Sequence, residues 1–309
     1  MRKEEIMSGI KTMERTKKRS NTLFLTLMLI FPLAQFCVFY IGVNLNSVLL
    51  AFKEYSFDGT SSFVAFKNFG KVFESFAHDA DMLTRLKNSA IQYFLALFIG
   101  MPLNLYVSYA IWKKVSGSGF FTVILFLPSM ISNMVFVIIV RILLNGGLHS
   151  IYPDMKYILN YDATGFMSVM IFGLWLGFAS GLILYLGAMS RIPKELVEYG
   201  ALEGLGAFKE FIYLVFPMIY DTITTFVVVG IAGFFSGYGA LYSFFGTNGK
   251  PYAEVQTLGY YFFVIIQDAE TTVEYPFAAA SGLVFTFIAV PITLLVKWAM
   301  TKYGPSEEK

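Results

Sequence analysis

The sequence is short of charge and of the residues that do chemistry. Only 14% of its 309 residues are Asp, Glu, Lys or Arg, against about 25% in soluble domains. A chain this poor in charge does not cover a water-exposed globule. Cys37 is the sole cysteine and sits in an apolar run, so no disulfide forms within the chain. His78 and His149 are far apart and lack a metal-site spacing. No phosphate-binding loop, dinucleotide fingerprint or catalytic triad is evident. A net charge of +2 makes no electrostatic case for nucleic acid. These absences argue against an enzyme: no catalytic residue, metal or cofactor is expected on this chain.

What is present is apolar. Hydrophobic residues make up 56% of the chain, and the mean hydropathy is +0.63. A membrane-spanning helix needs roughly 20 mostly apolar residues. Runs near 22–43, 89–112, 119–143, 166–189, 217–238 and 276–300 meet that length. The expectation is an all-α polytopic membrane protein with six transmembrane helices. Residues 20–52 carry no charge, a run longer than a signal-peptide core and without a small-residue cleavage site. They read as a retained first helix. An apolar patch at 255–267 is too short to span and reads as a re-entrant or interfacial half-helix.

Lys and Arg set the orientation. A cytoplasmic N-terminus places the basic segment 1–21, Lys113, Lys114, Arg191, Lys194, Lys209 and Lys302 on one side. The two later outer loops then hold only Arg141, Lys156 and Lys250. The division expected is a basic segment 1–21, a transmembrane domain 22–302 and a tail 303–309, with both termini cytoplasmic. Outer loops fall at 44–88, 144–165 and 239–275, and a cytoplasmic insert at 191–217. Arg141, Lys297 and Asp221 lie near span ends, where snorkelling accounts for them. No energy-coupling charge stands at mid-membrane, so energy, if used, comes from a partner.

The insert, RIPKELVEYGALEGLGAFKEFIYLVFP, separates two strongly apolar runs. Pro193 suits a first helical turn, and Lys194 to Glu203 reads as a short helix. Gly200 and Gly204, four apart, are expected to share a face open to close backbone approach. A second helix, Ala207 to Phe216, is expected to carry Phe208, Phe211, Ile212 and Val215 on one side, with Pro217 ending it. The residues alone fit a docking hairpin and an ordinary amphipathic surface hairpin equally well.

The insert resembles the EAA loop of bacterial ABC importer permeases: a glutamate and two small residues, then an acid and glycine, then a hydrophobic helix closed by proline. Glu198, Tyr199, Gly200, Ala201, Glu203, Gly204 and Pro217 stand at those spacings, with Tyr199, Glu203 and Leu205 departing from the usual residue types. Stretches such as NSVLLAFKEYSFDG, LPSMISNMVFVIIVRILLNGG and FFGTNGKPYAEVQTLGYYFF resemble the permeases of the maltose and multiple-sugar class. The resemblance implies the type I importer permease fold with a cytoplasmic coupling helix. It implies a second homologous permease, two copies of a cytoplasmic ATPase and an external solute-binding protein as partners, besides membrane lipid. ATP and Mg would be bound by the ATPase.

Polar, small or aromatic residues within spans are the candidates for a substrate path. Ser129 and Asn133 follow Pro128, which loosens local helix bonding. Gly173, Gly177 and Ser180 share a face of the fourth span, and Phe234, Gly237 and Tyr238 come late in the fifth. All but Tyr238 also resemble positions along the sugar path of maltose-type permeases. Small residues in spans serve helix packing too. A permease for a non-sugar solute and a stand-alone carrier are the alternatives to an oligosaccharide importer subunit.

Overall fold

A computed structural model describes residues 24–56, 60–151, 158–267 and 272–305. The basic segment 1–21, the start of the first span, the last residues of the tail and parts of all three outer loops lie outside the described residues.

Helix α1 (Phe24–Leu50) extends seven residues beyond the expected end of the first span, and none of its most apolar window is buried within the chain. An unpartnered apolar helix of this kind belongs in lipid or against another membrane chain. A hairpin of β1 (Lys53–Tyr55) and β2 (Ser61–Phe63) follows, antiparallel with Lys53 opposite Phe63. Helix α2 (Lys67–His78) lies against it. Lys67 and Lys71 both reach Glu54 at 2.8 Å; these two ammonium donors hold its carboxyl down at about 2.

The second span is helix α3 (Ala80–Trp112), which starts nine residues earlier than the apolar run. Asp79 caps it by accepting from the Asp81 N–H. Its early turns are polar because they grip another part of the chain. Arg85 Nε donates to Gln256 Oε1 at 2.7 Å, and its guanidinium lies 4.0 Å over the Tyr261 ring. Asn88 Nδ2 donates to the carbonyls of Ala253, Glu254 and Gln256, and Ser89 Oγ accepts from the Leu258 N–H. Gln256 Nε2 in turn donates to the Gly249 and Lys250 carbonyls. All these donors and acceptors find partners, which is what makes a buried polar patch tolerable.

The third expected span is not one helix. Helix α4 (Ser118–Met130) ends in extended backbone at Ile131 and Ser132, and helix α5 (Asn133–Arg141) begins anew, widening into π-helical turns at Ile142–Gly147. Pro128 lacks the N–H that would bond the Ile124 carbonyl, so the last turn of α4 is already weakened. Helix α6 (Ala163–Met189) is the fourth span, capped by Asp162, whose carboxylate accepts from Thr164 and Gly165.

Helices α7 (Lys194–Leu202) and α8 (Ala207–Met218) form the insert. Pro217 does not end α8. The widened turn Phe211–Val215 takes up the proline, with Phe216 N–H bonding Phe211 O, and the helix breaks at Ile219 instead. There the chain turns 70° into α9 (Tyr220–Gly233). Helix α9 stops five residues before the expected end of the fifth span, in a stretch rich in glycine. A short helix α10 (Leu241–Phe245) and the apolar α11 (Leu258–Gln267) lead to α12 (Tyr275–Tyr303), the last span. Among the described residues four helices are long and apolar enough to cross a membrane, and α8 with α9 makes a fifth if taken together.

Two cores hold the bundle. One joins Phe166, Val169 and Met170 of α6 to Leu241, Phe244, Val255, Tyr260 and Val264. The other joins Leu105 and Tyr109 of α3 to Tyr185 and Met189 of α6 and to Val215, Ile219 and Ile223. They occupy opposite ends of α6, which is about 40 Å long at 1.5 Å per residue. The insert therefore caps one end and the Arg85–Asn88–Gln256 network secures the other. Replacing Asn88 by alanine removes the donor shared by three carbonyls and is expected to cost about 1–3 kcal/mol. Thermal unfolding of the solubilised protein should start at lower temperature; an unchanged midpoint contradicts the clamp.

Candidate functional site

The insert is a hairpin with a buried side and a bare side. On the buried side Glu210 of α8 is 4% exposed. Lys113, just past the end of α3, donates to both its oxygens at 2.9 and 3.1 Å. Tyr109 O–H donates to the Ala207 carbonyl at 3.0 Å, and its ring lies 5.2 Å from that of Phe211. A carboxylate removed from water needs a countercharge and hydrogen bonds. Lys113 supplies both, at a helix C-terminus that also favours a cation. Val215 is fully buried beside them. Phe208, expected on this side, is 78% exposed; with Glu210 and Val215 facing inward, Phe208 falls on the far side of α8.

Gly200 faces inward as well. A Cβ there would come 3.2 Å from Leu205 and 3.6 Å from Leu214. The glycine admits its own hairpin partner, not an outside backbone. Gly204 does not share its face, because α7 ends at Leu202 and Gly204 lies beyond it with φ +74°. That left-handed conformation closes the helix: Leu205 N–H bonds back to Gly200 O and Gly204 N–H to Ala201 O.

The bare side carries Glu198, Tyr199, Ala201, Leu202, Glu203 and Gly204, all exposed. Tyr199 is 63% and Leu202 87% exposed, and Phe208 on the next helix is exposed as well. Pro217 is half-buried within α8 and takes no part in this surface.

The candidate path residues divide. Gly173, Gly177 and Ser180 line a cavity of about 350 Å³ between α3, α6 and α9, together with Tyr93, Asn104 and Phe226. Gly173 and Gly177 also line an adjoining cavity of about 520 Å³ with Ser129, Ile131 and Gln92. The break between α4 and α5 thus opens onto this second space. Ser129 Oγ donates to the Phe126 carbonyl, leaving its lone pairs free to accept. The side chain of Asn133 lies outside what is described; its backbone opens α5. Phe234 packs edge-on against Tyr93 at 5.8 Å and lines neither cavity. Gly237 is past the end of α9 and belongs to a turn, its N–H bonding Gly233 O and its carbonyl accepting from Thr257. Tyr238 stacks on Phe263 at 4.7 Å and lines a separate aromatic cavity. No lining residue of the three cavities is charged. Among the described residues no group of three His, Cys, Asp or Glu could hold a metal.

The sequence reading missed Gln92, Tyr93 and Asn104, which lie on the second span and face the same space as the fourth. It also missed Glu210 with Lys113. A carboxylate inside the apolar side of α8 was the available signal. Removing the Glu210 carboxylate in E210A, or the Lys113 charge in K113M, should loosen the insert by about 1–2 kcal/mol, the value for a buried pair discounted because Lys113 is one-third exposed. Trypsin cleavage at Lys209 should then quicken roughly ten-fold. Unchanged cleavage in both variants shows that the pair does not hold the hairpin.

Residues 81–308 match the model of the family described as "Binding-protein-dependent transport system inner membrane component". The maltose/maltodextrin transport system permease protein MalF of Escherichia coli strain K12 is 25% identical over 170 residues, 53% of this chain. Those residues span 32% of MalF, about a third of its length. The probable ABC transporter permease protein YurN of Bacillus subtilis strain 168 is 25% identical over 282 residues, 87% of this chain and 93% of YurN. The fold matches a chain of a bacterial ABC transporter involved in the import of the acidic polysaccharide alginate, with TM-score 0.73, 19% identity, and 94% and 99% of the two chains covered. A second structure of a bacterial alginate ABC transporter, in complex with alginate pentasaccharide-bound periplasmic protein, gives TM-score 0.74 at 21% identity, over 93% and 96% of the chains. With several long apolar helices, the ABC importer permease fold and a family match over most of its length, this chain is a multi-pass membrane protein and belongs to the binding-protein-dependent transport system inner membrane components.

Proposed function

We propose that the chain is a permease subunit of an ATP-driven importer that receives its solute from an external binding protein and moves a neutral sugar, an oligosaccharide, across the bacterial cytoplasmic membrane. The observation that carries this reading is the insert: an exposed acidic and apolar face backed by an ion pair from buried Glu210 to the end of a spanning helix. Exposed apolar surface of this kind on a polar hairpin seeks a partner, and the partner the family supplies is an ATPase. Glu198, Tyr199, Ala201, Glu203 and Gly204 are its contact surface, and Gly200 and Pro217 shape the hairpin behind it. ATP and Mg bind on that separate subunit, in two copies, and this chain hydrolyses nothing.

The insert and both termini lie in the cytoplasm in this reading, on the Lys and Arg asymmetry. Segment 1–21 and tail 303–309 flank a membrane domain of 22–302. A second, homologous permease covers the apolar surface left open here, and a solute-binding protein docks at the opposite end. The sugar assignment draws on MalF, whose name gives maltose and maltodextrin, and on the two cavities around Gly173, Gly177, Ser180 and Ser129. They are large enough for a small ligand at about 350 and 520 Å³. Their uncharged walls favour a neutral saccharide over an acidic one such as alginate, because an anion in an apolar site needs a countercharge. Small substrates without charge also fit the lack of ionisable residues at mid-span.

In proteoliposomes holding the whole complex, E198K or G204F is expected to abolish ATP-driven uptake of maltodextrins while the chain still inserts. G204F places a bulky side chain at φ +74° on the contact surface. Normal uptake by either variant removes the assignment of the insert.

A further inference from the structure

Gln92 sits on α3 one turn beyond the Ser89 that holds Leu258. It lines the 520 Å³ cavity with Ser129, Ile131, Gly173, Gly177 and Gly239. Its side chain is half-buried, and among the described residues its amide has no hydrogen-bond partner. That is unlike Asn88, Asn104 and Gln256, whose amides on or against the same helix are all engaged in structural bonds. An amide that only packed would lose nothing by being leucine. This one keeps two donors and an acceptor facing a space whose walls are otherwise mostly apolar.

The cavity is shaped to leave that amide room. Gly239 has φ +51°, and a Cβ there would lie 2.8 Å from Gln92 Nε2. Position 239 therefore disfavours a side chain by its conformation, and a Cβ there would also push the end of the Gln92 side chain aside. Across the helix break, Ile131 and Ser132 are extended and separate α4 from α5. The last carbonyls of α4 and the first N–H groups of α5 are left without helical partners at that point. Irregular backbone at membrane depth is tolerated where it lines a cavity that satisfies it. Polar groups on facing walls, one side-chain amide and one open backbone, are what a ligand bearing hydroxyls requires.

We propose that Gln92 is a specificity-determining residue: its amide hydrogen-bonds a hydroxyl of a neutral saccharide held in the cavity at the break between α4 and α5, and Gly239 keeps the amide free to do so. This rests on the reading of the chain as a sugar importer subunit. A single neutral hydrogen bond to ligand corresponds to about a three- to ten-fold effect.

The test uses the complete complex in proteoliposomes, with its binding protein, and maltotriose and its monodeoxy analogues as probes. Q92L and Q92A are compared with the unaltered chain for saccharide moved per ATP hydrolysed. The variants are expected to move about three- to ten-fold less maltotriose per ATP and to lose the preference over the analogue lacking the bonded hydroxyl. ATPase stimulation by the loaded binding protein should persist, which separates loss of a contact from loss of fold. Unchanged transport per ATP and unchanged preference in either variant overturn the proposal alone. If the unaltered complex carries no saccharide of the panel, the importer reading fails and Gln92 loses its assignment with it.

Discussion

The ion pair between Glu210 and Lys113 ties the insert to the membrane bundle. A hairpin of two short helices has little stability by itself. Here its inner side is bonded to the end of α3 through Lys113 and Tyr109, and packed on α6 through the core of Tyr185, Met189 and Val215. The inner side of the hairpin is thereby joined to two spanning helices at once. The 70° turn at Ile219 sends a third, α9, off the same hairpin. The hairpin thus meets three helices, α3, α6 and α9, and leaves its other side exposed.

At the other end the same helix α3 performs the complementary task. Its first turns hold the 253–258 segment through Arg85, Asn88 and Ser89. One continuous helix of 33 residues, about 50 Å long, thus connects the two polar networks, and Gln92 and Asn104 sit between them beside the cavities. The middle of the bundle is the least continuous part. There α4 gives way to α5, and Gly173 and Gly177 of α6 border open space. The two ends are held by hydrogen-bonded networks, and the middle is open and lined without charge.

Much of this was legible in the sequence. Long apolar runs do mark spans because lipid forces backbone groups into helices, so the second, fourth and sixth helices fall close to their expected places. The polar turns that precede the apolar run of α3 were read as loop, since Arg85 and Asn88 reveal their role only when Gln256, far along the chain, is brought to them. The two prolines act differently. Pro128 was expected to loosen a helix and marks a break, whereas Pro217 was expected to end one and is absorbed by a widened turn. For the insert, the resemblance picks out Glu198, Tyr199, Ala201, Glu203 and Gly204, which are exposed, but not that Gly200 faces inward, that Gly204 serves by its backbone angle, or that Phe208 faces out. Those depend on which side of each helix meets α3, and the sequence marks that side only through the buried charge of Glu210.

The central claim is that the bare side of the insert is a cytoplasmic contact surface for an ATPase subunit. Replacing Cys37 by serine and Leu202 by cysteine places a single thiol in that surface. Maleimide labelling in membrane vesicles, with and without the ATPase subunit, reads the claim directly. The account predicts labelling from the cytoplasmic side alone, suppressed when the ATPase is present. Labelling that is indifferent to the ATPase, or that arrives from the outer side, contradicts it.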